Sequence, residues 1–125
     1  MFRAIALVCL AAVCAMADGP APYTRKSLAA GRQTYLTQCV GCHDEDGRGL
    51  NRRDFNSTAP ADLTDPGEYH HGASPEQIFA SIRNGTPQDM PAFKGRVTDE
   101  QIWSMVNFVR SFWPEEKRPK LEDEH

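Results

Sequence analysis

The longest regular pattern of apolar and polar positions lies near the end of the chain. Ile102, Trp103, Met105, Val106, Phe108, Val109 and Phe112 recur at spacings that gather them on one broad helical face. Ahead of them, Thr98-Asp99-Glu100-Gln101 forms a capping box, in which the threonine hydroxyl and the glutamine side chain satisfy two free backbone N–H groups. Pro114 stops the run, so the pattern predicts a helix over 99–112. A shorter helix opens at Ser74-Pro75-Glu76-Gln77, the same box with proline in the first turn. It shows Ile78, Phe79 and Ile82 on its apolar face and ends at Asn84-Gly85. Upstream, Leu28, Tyr35 and Leu36 keep helical spacing and predict a third helix over 27–38, with Ser27 as its N-cap.

Between the first and second of these helices in chain order, residues 44–69 carry Gly47, Gly49, Pro60 and Pro66, scattered charge and no sustained period. Nowhere does apolar and polar character alternate long enough for a strand, so the expected fold class is all-α. So long an irregular segment is uncommon in a compact domain unless it wraps something. Three short helices also leave a thin core unless a large apolar group fills the middle.

The first residues follow another pattern. Arg3 precedes an apolar run from Ala4 to Val13, followed by Ala15-Met16-Ala17, and residues 1–17 read as a signal peptide cleaved near Ala17. The run is shorter than the roughly 20 residues that span a bilayer. Cys9 and Cys14 each follow valine rather than the small residue a lipoprotein signal requires. The expected destination is therefore the periplasm or the exterior. Residues 18–26, with Pro20 and Pro22, read as a flexible leader, 27–113 as the domain, and 114–125 as a charged, solvated tail.

With 125 residues there is room for one domain, and 40% hydrophobic and 25% charged residues suit a globular one. A formal charge of -3 argues against a nucleic-acid partner. Composition matters most through cysteine. Signal cleavage removes Cys9 and Cys14 and leaves Cys39 and Cys42, two residues apart, in an exported protein.

Cys39-Val40-Gly41-Cys42-His43 has the spacing in which two thiols add to the two vinyl groups of haem while the following histidine reaches the iron. A thioredoxin-like dithiol shares the Cys-x-x-Cys spacing but expects a βαβ pattern. Zinc needs two further ligands, and the adjacent His70 and His71 are poorly spaced to supply them. One covalent haem c is the expected cofactor. His43 takes one axial position, and the candidates for the other are Met90, Met105, His70, His71 and His125. Met105 sits in the strongest apolar helix, where methionine is usually core filler. Met90 lies in an irregular loop between Pro87 and Pro91, which restrict the chain around its sulfur.

These residues together resemble class I cytochrome c in its small bacterial, mono-haem form. The resemblance spans about 27–113 and includes Gly31 and Tyr35, the Cys39 to His43 motif, Asp46-Gly47-Arg48-Gly49, Pro60-Ala61-Asp62-Leu63, Asn84-Gly85, Met90-Pro91-Ala92-Phe93 and the segment from Trp103 to Phe108. It implies a cytochrome c fold, short helices wrapped around one covalently bound haem. By the same resemblance Gly31 lets the first helix cross the last closely, Tyr35 packs near Phe108, and the Pro60 carbonyl receives the Nδ1 proton of His43. It also places Met90 as the sixth ligand, which raises the reduction potential.

With His43 and Met90 both on the iron, no position is open for a substrate, and the expected chemistry is single-electron exchange rather than catalysis. Expected partners are redox proteins, whether a dehydrogenase, an oxidase or a respiratory complex, met by a monomer that reaches the membrane only through them. Lys94 and Arg96 offer a basic contact, and Asp44, Glu45 and Asp46 an acidic one. The rival readings are a gas-sensing or peroxidatic haem with Met90 off the iron, and a haem-free thiol oxidoreductase.

Overall fold

The computed structural model describes residues 19–52, 59–87 and 90–123. The signal peptide and Asp18 lie outside the described residues. Four helices follow in order: α1 (Arg25–Gln38), α2 (Val40–His43), α3 (Pro75–Asn84) and α4 (Asp99–Arg110). Two 3₁₀ turns, Leu50–Arg52 and Pro66–Glu68, punctuate the long connection between α2 and α3. Among the described residues there is an isolated bridge, Lys94 to Val97, and no strand. The class is all-α, as the pattern requires.

The capping boxes at Ser74 and Thr98 both form, each with its glutamine returning to the cap backbone. α4 ends at Arg110 rather than at 112. There Phe112 N–H donates to the Val109 carbonyl and Trp113 N–H to the Arg110 carbonyl, three residues back, so the apolar run continues in a tightened turn.

α1 crosses α4 at Gly31, where a Cβ would lie 2.6 Å from the Ser104 carbonyl carbon and 2.8 Å from Phe108 Cβ. The bare backbone at 31 is what permits the crossing. One turn further along α1, Tyr35 is fully buried, its ring 5.1 Å from Phe108 and 5.4 Å from Phe112. α3 covers another part of α4 through Phe79 stacked on Trp103 at 4.1 Å. Ile102, Met105 and Val106 are fully buried at the centre.

The start of α1 differs from expectation. Its N-cap is Thr24, and Ser27 is the third helical residue of a capping box in which each hydroxyl accepts from the other's backbone N–H at 3.1 Å. A serine inside the first turn can play either part, and the local pattern did not separate them.

The leader and tail differ as well. The buried Asn107 amide donates to the Ala21 and Pro22 carbonyls, both at 3.0 Å, and to Ser27 Oγ at 3.1 Å, so α4 holds the leader from 21 onward in place. The tail then closes over it. Glu122 N–H donates to the Tyr23 carbonyl at 2.9 Å, the Glu122 carboxylate accepts from Tyr23 N–H at 2.5 Å, and Asp123 accepts from Arg25 N–H at 3.2 Å. Arg110 lies over both the Tyr23 and Trp113 rings, 6.0 and 5.5 Å from their centroids. Within the described parts of the leader and tail, Tyr23 and Arg25 are therefore tied to Glu122 and Asp123 rather than left free in solvent.

Candidate functional site

α1 does not run straight into a loop at Gln38. Cys39 N–H still donates to the Tyr35 carbonyl, and then Cys42 and His43 N–H both turn back to the Cys39 carbonyl at 3.2 and 3.0 Å. This single turn, α2, carries Cys39, Cys42 and His43 together. It stops at Asp44, whose φ of 61° is left-handed. The Tyr35 hydroxyl donates to the Asp44 carbonyl at 2.5 Å and ties the chain just beyond His43 to α1.

The segment after α2 folds back beside it. Gly49 N–H donates to the His43 carbonyl at 3.0 Å and Leu63 N–H to the Gly47 carbonyl at 2.8 Å. Tyr69 then spans the wall, its hydroxyl donating to the Leu63 carbonyl at 2.8 Å and accepting from Trp113 Nε1 at 3.0 Å. Tyr69 belongs to no motif. Its one signal in the sequence is an aromatic residue inside a stretch otherwise rich in glycine, proline and charge.

These elements enclose a largely apolar cavity of about 360 Å³, within the range of small-molecule and cofactor sites. Cys39, Cys42, His43, Pro60 and Met90 all line it, and α3 contributes Ile78 and Ile82. His70 and His71 also line it while remaining exposed. Met105 does not line it. Met105 is fully buried with its sulfur 3.8 Å from Cys39 Sγ, which makes it a core residue.

The thiols differ. Cys39 is buried, and burial, with the neighbouring Cys42 second, pushes its thiol up to about 12, while Cys42 is exposed. Among the described residues no group of three or more His, Cys, Asp or Glu side chains is gathered to hold a bare metal ion. The two cysteines are arranged instead as two points of attachment on one edge of an apolar cavity.

Burial lowers the His43 imidazole below its ordinary value, with the Ala61 backbone and Asp44 pulling the other way. The ring is thereby favoured in the neutral form that ligates iron. Its Nδ1 is buried without a hydrogen-bond partner at good geometry, so the Pro60 carbonyl does not take the proton as the resemblance implied. The backbone that favours the protonated ring is that of Ala61, one residue further on. A haem fits this site: an apolar slot, two thiols on one turn, a neutral imidazole beside them and a thioether on the same cavity.

Met90 comes from the strap that follows α3. Thr86 N–H donates to the Met90 carbonyl, Phe93 N–H to the Ile82 carbonyl and Lys94 N–H to the Arg83 carbonyl, each at 3.0 Å. The strap is thus bonded to the last turn of α3 just after the methionine, and the Met90 carbonyl itself is held by Thr86, two residues beyond that helix.

A helical wrap around an apolar slot, with two thiols and a buried imidazole on its wall, fits a mono-haem electron-transfer domain. Known proteins agree. A family model described as cytochrome c oxidase, cbb3-type, subunit III matches residues 26–109. The chain is 35% identical over 82 residues to cytochrome c6 of Leptolyngbya boryana, covering 65% of this chain and 87% of that one. It is 33% identical over 88 residues to the cytochrome c subunit of the quinone alcohol dehydrogenase of Gluconobacter oxydans, covering 67% of this chain and 18% of that subunit. This chain thus spans less than a fifth of that subunit's length. The solved KustC0563 c-type cytochrome superposes with a TM-score of 0.55 at 29% identity, over 67% of this chain and 98% of that one. The chain belongs to the cytochrome c family, and its cofactor is covalently bound haem c.

Proposed function

We propose that this protein is a free electron carrier in which His43 and Met90 are the two axial ligands, and that it serves exported or membrane redox partners after cleavage near Ala17. When bound, haem supplies reversible one-electron exchange between Fe(III) and Fe(II). The chain's own residues do the rest. Cys39 and Cys42 anchor the group covalently, the neutral His43 ring offers its lone pair, and the apolar walls from Leu63, Ile78, Ile82 and Phe93 exclude water. The observation that carries this reading is that Met90 and His43 line one cavity, while Phe93 and Lys94, just beyond Met90, are bonded to α3.

With both axial positions taken by protein, the domain is a carrier and not an enzyme. A dehydrogenase, an oxidase or a respiratory complex suits it as partner, and the names of relatives that are cytochrome c subunits of an alcohol and a gluconate dehydrogenase support that class. Lys94 and Arg96 are exposed on the Met90 strap, Arg96 lying 4.9 Å over the Phe93 ring, whereas Glu45 and Asp46 are exposed beyond the attachment turn. The rim therefore presents opposite charge at two places, which favours an oriented encounter between a monomer and its partners. No helix among the described residues is long and apolar enough to cross a membrane.

Absorption spectroscopy of the holoprotein tests the ligand assignment. The oxidised wild type should show a sulfur-to-iron charge-transfer band, absent from Met90→Ala, whose reduced form should bind carbon monoxide. A wild type without the band that readily binds carbon monoxide would establish a gas-sensing or peroxidatic haem instead.

A further inference from the structure

The strap that brings Met90 to the cavity sits on the end of α3 with almost no clearance. Gly85 caps that helix with a φ of 71°, and a Cβ there would lie 2.6 Å from the Met90 carbonyl oxygen, 2.8 Å from Ala92 N and 3.0 Å from the Pro91 carbonyl carbon. All three are backbone atoms, so none can swing away as the tip of a flexible side chain would. The adjacent Thr86 N–H donates to the same Met90 carbonyl at 3.0 Å, and the two bonds from Phe93 and Lys94 to α3 continue the seat.

We infer that Gly85 is a positioning residue for Met90: the absence of a side chain at 85 lets the Met90 peptide rest on the last turn of α3 and so sets how far the thioether reaches into the cavity. This rests on the reading of Met90 as an axial ligand. A Cβ at 85 pushes residues 90–92 outward as a unit and stretches the Thr86 bond. The other cavity walls stay in place, because Ile78 and Ile82 lie upstream in α3 and the attachment turn belongs to α2.

The structure supplies a matched control. Gly95 also has a left-handed backbone, with a φ of 83°, but a Cβ there meets nothing within 4 Å. Gly85→Ala and Gly95→Ala therefore both put a side chain on a positive-φ backbone, and only the first meets the backbone of the strap.

The experiment compares wild type, Met90→Ala, Gly85→Ala and Gly95→Ala holoproteins by the charge-transfer band of the oxidised form, by redox titration, and by carbon monoxide binding to the reduced form. Gly85→Ala is expected to keep its covalent pigment, lose most of the band, shift to a lower potential and bind carbon monoxide. Gly95→Ala is expected to match wild type in all three. If Gly85→Ala keeps the wild-type band and potential while Met90→Ala loses the band, the inference fails and the ligand assignment stands. If Met90→Ala itself keeps the band, the ligand assignment fails. If Gly95→Ala changes as much as Gly85→Ala, strain and not the seat is responsible, and the inference is overturned. Should Gly85→Ala not fold, Thr86→Pro decides by the same readouts: it removes the N–H that holds the Met90 carbonyl against the end of α3 without adding a Cβ at 85, and an unchanged band and potential would overturn the inference.

Discussion

Gly31 of α1 lies against the backbone carbonyl of Ser104 in α4, close enough that a Cβ at 31 would collide with it and with Phe108 Cβ at 2.8 Å. This crossing sets the angle between the two largest helices and so places Tyr35, which follows one turn later, among Phe108 and Phe112. Gly31→Ala is expected to cost about 1–3 kcal/mol through overpacking, despite the better helix propensity of alanine. Urea unfolding of the holoprotein measures it, and a change below about 0.5 kcal/mol would contradict the close crossing.

Burial is the largest cause raising both the Tyr35 and Tyr69 phenols above their ordinary value. Unfolded tyrosines ionise near pH 10, whereas these stay neutral in the fold, so above that point the unfolded chain releases protons first. Their stability is whole below about pH 10 and is lost as the pH climbs beyond it toward the folded values. Denaturation series between pH 8 and 11 should show a falling slope that Tyr35→Phe makes shallower. At neutral pH the same variant loses the hydrogen bond to the Asp44 carbonyl, at a cost of about 1 kcal/mol.

Cys39 is buried against Met105, and Cys42 is exposed. Either alanine variant alone should keep its pigment through acid-acetone extraction, held by the remaining thioether, and the double variant should release it. Between the single variants, Cys39→Ala is expected to be the less stable by about 1 kcal/mol, because it also leaves a gap in the core. Equal melting temperatures would count against that difference.

Asn107 is 1% exposed, and its amide serves two leader carbonyls and a serine hydroxyl. Asn107→Leu takes this donor from the Ala21 and Pro22 carbonyls beneath the leader, while Ser27 Oγ keeps its bonds to Thr24, with an expected loss of about 2–3 kcal/mol. Limited proteolysis should then cut near Ala21 faster than in wild type, while the reduction potential stays unchanged. A shifted potential without faster cleavage would show that Asn107 acts on the haem site rather than on the leader.

Legibility in the sequence followed the range of each interaction. α3 and α4 were readable because their capping boxes join residues three apart and their apolar faces repeat within a few turns. The attachment turn was readable because the spacing from Cys39 to His43 matches one edge of one cofactor. Pro60 shows the limit of resemblance: it reaches the cavity wall, but the His43 Nδ1 finds no hydrogen-bond partner, and the backbone that favours the protonated ring is that of Ala61. Tyr69 went unread because its partners, the Leu63 carbonyl and the Trp113 indole, lie in different segments.

By itself the sequence determined the all-α class, two of the helices nearly to the residue, and a haem c cofactor, since each rests on side chains a few positions apart. The tertiary structure alone decided that the leader and tail close on one another at Tyr23 and Glu122, and that Gly85 lies under the Met90 strap. The physical reason is common to both. These arrangements depend on backbone carbonyls, N–H groups and available volume between distant segments, and almost every residue carries the same backbone groups, so the identity of the partner leaves little mark in the order of side chains.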